Sequence, residues 1–228
     1  MPATHPAICD LPDGASLDEE GVWNQVFARP ARDRAGALFL DRDGIVVEEV
    51  HYLHRLEDVR LVPAIIGVIA RANRLGVPVV IVTNQAGVGR GLYDWLAFAT
   101  VQQRILDELA AGGAVVDAVY ACPHHRAADA PYDHLDHPAR KPNPGMLLRA
   151  AKALPHIDMA SSWIVGDRAS DVEAGLRAGI AGGVHVLAGH GLMPGERERA
   201  LALEALGFRS IAVDSVAEVV ERVPLLSR

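Results

Sequence analysis

The sequence predicts an α/β protein built on a doubly wound, Rossmann-like parallel sheet. Three observations carry this reading. Short apolar runs rich in β-branched residues recur from residue 36 onward, helical patterns of 10 to 18 residues separate them, and several of the runs end in acidic or hydroxyl side chains. Strands alternating with helices in this way form βαβ units, whose right-handed crossovers give a parallel sheet covered on both faces.

In chain order, residues 1–15 are rich in Pro, Asp and Gly without periodicity, which predicts a poorly ordered tail or a surface strap. Ser16 and Glu19 have the spacing of a capping box, and Val22, Trp23, Val26 and Phe27 form two i,i+4 apolar pairs. A short helix ending before Pro30 is therefore expected, docked on the main domain or forming a dimer contact. It belongs to an N-terminal extension of residues 1–35, and residues 36–228 are expected to form one domain.

The first strand of that domain is expected at 36–41. A helix at 63–75 follows, with Pro63 near its start and Gly76 after its end. Residues 77–82, Val-Pro-Val-Val-Ile-Val, read as a strand covered on both faces, ending in Thr83-Asn84-Gln85. Asp94 can cap a helix reaching to about 111, whose Phe98, Val101, Ile105 and Leu109 share a face. A strand at 115–121 leads into an irregular loop, 122–142. Asn143 and Pro144 start the next helix, and Trp163-Ile164-Val165 is a further strand. Ser170 with Glu173 makes a second capping box in a helix closed by Gly179. A strand at 184–187, a helix at 194–206 ended by Gly207, a strand at 211–213 and a C-terminal helix complete the pattern. The sequence contains no internal repeats.

Composition narrows the function. The 228 residues are half hydrophobic and carry 22 Lys and Arg against 29 Asp and Glu, a formal charge of -7, which argues against binding nucleic acid through its phosphates. No apolar run approaches membrane-spanning length, and the first residues lack a signal-peptide pattern. Cys9 and Cys122 are too few for a disulfide scaffold and suit a reducing cytoplasm, so a soluble cytoplasmic protein, a monomer or small homo-oligomer, is expected.

The chemistry sits at the strand ends. Leu38-Phe39-Leu40 runs into Asp41-Arg42-Asp43-Gly44, and the alternation of an extended chain puts Asp41 and Asp43 on one side, although an ordinary Asp-Gly turn also fits this pair. In a doubly wound sheet the ligand crevice lies outside the carboxyl ends of the strands. There the chain places Asp41, Asp43, Thr83, Asp167 and Asp171, with Lys141 between. Phosphoryl transfer to a carboxylate needs this set: a nucleophilic carboxylate, a second carboxyl group for the leaving-group proton, a hydroxyl and an ammonium for the phosphoryl oxygens, and acids for Mg²⁺.

On the motifs DRDG, TNQ, the Lys of RKPNPGM, and GDRASD, the chain resembles the haloacid dehalogenase superfamily of aspartate-nucleophile phosphatases from about residue 36 to 190. Within it, FLDRDG, VVIVTNQAGVGRG, VYACPHH and RKPNPGM are similar to the heptose bisphosphate phosphatases and the histidinol phosphatases. The resemblance implies Asp41 as nucleophile and Asp43 as general acid and then base. Mg²⁺ would be held by Asp41, the Asp43 carbonyl and Asp167, with Asp171 acting from behind or through water. Thr83 and Lys141 would hold the phosphoryl group, and Arg42, Glu49, Tyr52, Asn84, Gln85 and Arg140 would contact a small phosphorylated sugar. The implied reaction is removal of the 7-phosphate of a heptose 1,7-bisphosphate. Histidinol-phosphate hydrolysis and a non-catalytic phospho-ligand module are the alternatives.

Only 42 positions separate Asp41 from Thr83, too few for a cap domain beside a helix and a strand, so a capless site covered by loops 46–60 and 122–142 is expected. The resembling enzymes bind a structural zinc through Cys-x-His and Cys-x-Cys in the latter loop. Here Cys122 and His124 match, His137 takes the third place, and Ala139 takes the fourth, where it cannot bind metal. His134 is the substitute ligand, and a metal-free histidine-rich loop is the alternative. Gly87-x-Gly89-x-Gly91 reads as a flexible turn near the site, because a dinucleotide fingerprint would need glycine at Leu92. Ile45 and the stretch to Tyr52 follow the family pattern only in part.

Overall fold

A computed structural model describes residues 11–27 and 33–227. Its frame is one eight-stranded sheet in the order β1-β2-β5-β4-β3-β6-β7-β8. The strands are β1 (Ala15–Leu17), β2 (Trp23–Val26), β3 (Leu38–Leu40), β4 (Val79–Asn84), β5 (Ala118–Cys122), β6 (Trp163–Gly166), β7 (Gly182–Val186) and β8 (Arg209–Val213). From β5 through β8 all neighbours are parallel. The helices are α1 (Ile65–Arg74), α2 (Ala86–Gly89), α3 (Trp95–Ala111), α4 (Gly145–Ala153), α5 (Ala169–Ala178), α6 (Glu196–Leu201) and α7 (Val219–Arg222).

Strand alternation divides the core between the two faces. Leu38, Leu40, Val79 and Ile81 pack with Ile65, Phe98, Ile105 and Val219 of α1, α3 and α7. Phe39, Val80, Val82 and Ile164 pack with Met146, Leu147, Val172 and Ala200 of α4, α5 and α6. The central β3 has β4 on one side and β6 on the other, so the chain reverses direction across the sheet at this strand and opens a crevice beyond its carboxyl end. Asp94 caps α3 as expected, its carboxylate accepting the Ala97 N–H at 2.8 Å.

Three expectations change. The predicted helix over Ser16–Phe27 is a β-hairpin: β1 pairs antiparallel with β2, and β2 pairs antiparallel with β5, Trp23 opposite Ala121. Trp23 and Gln25 are buried while Asn24 and Val26 are half-buried, a period of two that the i,i+4 apolar pairs obscure. An available sheet edge, and the stacking of Trp23 with Trp95 at 5.6 Å, outweigh a weak local helix preference. Pro30, the expected helix stop, lies outside the described residues. In α5 the cap is set two residues earlier than Ser170 and Glu173, because the Asp171 carboxylate accepts the Arg168 N–H at 2.9 Å. The helix expected over 194–206 is the shorter α6.

Because Trp23 is fully buried, the hairpin is part of the core. Trp23→Ala is expected to destabilise the protein by about 3–5 kcal/mol, measured by denaturant unfolding.

Candidate active site

The crevice beyond β3 is a pocket of about 470 Å³. Asp41 directly follows β3 and is tied to the neighbouring strand by its N–H, which donates to the Val165 carbonyl at 2.9 Å. Its Oδ1 accepts the Arg42 N–H at 2.7 Å and meets Lys141 Nζ at 2.8 Å. The same ammonium reaches Asp171 Oδ1 at 2.7 Å and donates to the Val82 carbonyl at 2.8 Å. Three partners for three N–H groups fix Lys141, which is 3 % exposed, in one position.

Asp167, just past β6, has its Oδ2 bonded by the His190 N–H at 2.7 Å. The backbone crowds this carboxylate: a Cβ at Gly44, whose φ is +84°, would come within 2.4 Å of Asp167 Oδ2. Only glycine fits that turn and that approach.

Oxygens of Asp41, Asp167 and Asp171 lie within 4.8 Å of one another. With all three carboxylates ionised, the single Lys141 ammonium would leave two negative charges uncompensated. Burial, with the other carboxylates adding, pushes Asp41 up to about 7 against the pull of Lys141, and pushes Asp167 up to about 9. Burial opposes the charge on Lys141, but Asp171 and Asp41 outweigh it and raise its pKa. A buried, all-oxygen donor set with this charge deficit fits Mg²⁺. Asp171 has both oxygens committed, one to Lys141 and one to the Arg168 N–H, so its part is to hold the ammonium.

Asp43 lies beside this cluster. Arg42 grips it in a two-pronged ion pair, Nη2 at 2.9 Å and Nε at 3.1 Å from Oδ1. Gln85 Nε2 donates to its Oδ2 at 2.9 Å and to Thr83 Oγ1 at 2.8 Å, while Thr83 Oγ1 is 3.4 Å from the carboxylate. Tyr93 in turn donates to Gln85 Oε1. Arg42, only 1 % exposed, and Gln85 thus hold Asp43, and both also border the pocket. Asn84 binds both the N–H and the carbonyl of Lys141, each at 3.1 Å, and so fixes the loop carrying the ammonium.

Glu49, Tyr52 and Arg140 line the pocket, as do Arg42, Asn84 and Gln85. Burial, with Asp43 and Asp41 adding, pushes Glu49 up to about 7. Tyr52 accepts Arg90 Nη1 at 2.7 Å, and Arg140 Nη1 donates to the His124 carbonyl at 2.9 Å. Arg90, Tyr93, His125, Arg168 and His190 also belong to the wall, and the sequence assigned a role to none of them. Arg90 and Arg168 each lie within a motif, VVIVTNQAGVGRG and GDRASD respectively, which was a local signal for both. The glycine-rich stretch is the short, packed α2 and not a flexible turn, with Gly87 pressed against Tyr93 and Tyr52. Burial lowers the pKa of Arg140, and the nearby Arg168 and Arg90 guanidiniums lower it further. A second anion in the pocket would relieve that repulsion. The loops at 46–60 and 122–142 border the site as expected, and no separate cap stands among the described residues.

The residues of the expected zinc site do not fit the metal. Tetrahedral zinc brings its ligand atoms to roughly 3.3–3.8 Å from one another. Among the described residues, no three ligand atoms of Cys122, His124, His134 and His137 gather within 4.8 Å, whereas the Asp41 group does. The His124 and His137 rings instead stack face to face, centroids 3.6 Å apart and planes 2° apart. His124 Nε2 donates to the Glu20 carbonyl at 2.7 Å, and His137 Nδ1 accepts the Ala139 N–H at 3.1 Å.

Burial, with His124 adding and Glu20 opposing, pushes His137 down from 6.5 to about 4. The unfolded chain then binds a proton between these values that the native protein does not, so stability present above 6.5 is lost as the pH falls toward 4. His137→Gln is expected to flatten this acid limb, read from unfolding midpoints between pH 4.5 and 7.5.

Residues 138–203 match the HAD-hydrolase-like family. The chain is 46% identical over 168 residues to a D-glycero-β-D-manno-heptose-1,7-bisphosphate 7-phosphatase of Mesorhizobium japonicum, a match covering 73% of this chain and 77% of the relative. Its fold matches a HAD-like protein from Mesorhizobium loti with a TM-score of 0.79 and 40% identity, over 92% of this chain and 94% of the other. It also matches the D,D-heptose 1,7-bisphosphate phosphatase of B. bronchiseptica, solved with magnesium and phosphate, with a TM-score of 0.67 and 31% identity, over 82% and 97% of the two chains.

Proposed function

This chain belongs to the HAD-like phosphatases, and from that membership we propose that it hydrolyses the 7-phosphate of D-glycero-D-manno-heptose 1,7-bisphosphate through a phosphorylated Asp41. The observation that carries the reading is the buried Asp41–Lys141–Asp171 cluster with Asp167 beside it, opening into a pocket ringed by Arg90, Arg140 and Arg168. One anion is served by the cluster and a second by the arginines, which suits a substrate with two phosphates.

In this mechanism an Asp41 carboxylate oxygen attacks phosphorus and the bond to the sugar oxygen breaks. Asp43, held in place by Arg42 and Gln85, gives its proton to the departing sugar oxygen. Asp43 then takes a proton from water as that water attacks the aspartyl phosphate, which returns Asp41 and releases phosphate. Lys141 and Thr83 stabilise the phosphoryl oxygens as charge builds. Asp41, Asp167 and the Asp43 carbonyl would hold Mg²⁺, which supplies positive charge to the transferring group. Glu49 and Tyr52 are the candidates for the sugar hydroxyls, and Arg140 for the distal phosphate.

No helix among the described residues is long and apolar enough to cross a membrane. A cytoplasmic setting is our reading of the cysteine usage.

The test is kcat/KM with Mg²⁺ on both anomers of the heptose bisphosphate, on histidinol phosphate and on other sugar monophosphates. A heptose bisphosphate is expected to lead by about tenfold or more, the scale of one added charged contact. A preference for histidinol phosphate would overturn the assignment.

A further inference from the structure

The N-terminal hairpin is joined to the active-site loop by more than sheet pairing. Because β2 runs antiparallel to β5, the turn between β1 and β2, Asp18 to Gly21, lands where β5 gives way to loop 122–142. The turn is held by its own bonds: Asp18 Oδ1 accepts the N–H groups of Glu20 at 3.0 Å and Val22 at 2.9 Å. Other polar groups of the turn, the Glu20 carbonyl and carboxylate and Asp18 Oδ2, bond outside the hairpin. The Glu20 carbonyl accepts His124 Nε2, and the Glu20 carboxylate lies 3.6 Å from His137 Nε2 and pairs with Arg149 of α4. Asp18 Oδ2 accepts Arg149 Nε at 3.0 Å. Gly21, at φ +73°, abuts the Tyr132 ring so closely that a Cβ would come within 2.7 Å of Cε1.

These contacts converge on the group that governs Arg140. His124 and His137 belong to opposite ends of the loop and are stacked on each other, and the His124 carbonyl anchors the Arg140 guanidinium at 2.9 Å. A hairpin serving only to extend the sheet has no use for two carboxylates turned toward Arg149 and His137.

We propose that the turn Asp18–Gly21 is a clasp that sets the position of Arg140 over the pocket, with Glu20 as a positioning residue acting through the His124–His137 stack. The inference rests on the proposed bisphosphate substrate, since Arg140 matters to the end of the substrate that does not react.

The Glu20 side chain is half exposed, so Glu20→Ala should fold, and it is tested in the full chain. Three readouts are compared with wild type: kinetics on heptose bisphosphate, kinetics on p-nitrophenyl phosphate, which carries no second phosphate for Arg140 to bind, and hydrogen exchange of the amides at 124–137. Misplacing Arg140 is expected to raise KM for the bisphosphate about tenfold with kcat within about twofold. Turnover of p-nitrophenyl phosphate stays unchanged, the loop amides exchange faster, and Glu20→Gln restores most of the loss.

Equal losses on both substrates, or unchanged loop exchange, would overturn the clasp. Stoichiometric zinc in protein purified without chelator, whose removal loosens the same amides, would also overturn it. If wild type hydrolyses p-nitrophenyl phosphate but not heptose bisphosphate, the function assignment fails by itself. Exchange then decides the clasp: faster loop exchange with an unchanged sheet supports it, and no change refutes it.

Discussion

Asp41→Asn is expected to abolish phosphatase turnover, lowering kcat by roughly 10³- to 10⁶-fold, as loss of a covalent nucleophile does. The amide is nearly the same size as the carboxylate, and the backbone bond from Asp41 to Val165 does not involve the side chain. Stability should be unchanged or slightly higher, because the substitution removes one of three carboxylates from a buried cluster that burial already pushes toward neutrality. Steady-state kinetics and a thermal melt on the same preparation check both statements. Wild-type turnover would refute the mechanism. Asp43→Asn should differ in kind: phosphorylation of Asp41 slows, its hydrolysis slows further, and acid-quenched protein retains phosphate.

Lys141→Met should cost both activity and about 3–5 kcal/mol of stability, the range for stripping one partner from a buried ion pair. The ammonium is in contact with Asp41, Asp171 and the Val82 carbonyl at 2.7–2.8 Å, and methionine offers none of them a donor. Both carboxylates are left facing each other without their counter-charge. Denaturant unfolding with and without Mg²⁺ provides the measurement, and a loss below about 1 kcal/mol, the level of a solvated surface pair, would show that the ion pair is not buried in solution.

The parallel sheet was legible because its strands announce themselves. Val79 to Val82 is β-branched throughout, and a strand buried on both faces needs little else. The site was legible because the fold itself brings strand ends together, so Asp41, Thr83, Lys141 and Asp167 could be grouped before any distance was known.

What escaped reading depends on tertiary partners. The hairpin needs the exposed edge of β5, which nothing near Trp23 reveals. Arg42 and Gln85 were expected at the substrate and both border the pocket, yet the bonds they make to Asp43, Thr83 and Tyr93 depend on tertiary neighbours that the sequence does not show. Arg90 and Arg168 enter the pocket from α2 and from the start of α5, positions that sequence spacing alone does not relate. In the histidine loop the ligand count was readable, and Ala139 already weakened it. The ring stack that takes its place was not.

The placement of β1 and β2 also affects how molecules meet one another. Without them β5 would end the sheet as a five-residue strand with its amides and carbonyls open to pairing with another chain. Among the described residues the hairpin moves that border outward to β1, only three residues long and followed by Asp18, Glu19 and Glu20. Short length and negative charge are poor templates for strand addition, so the same segment that reaches the active-site loop protects the protein against edge-to-edge aggregation.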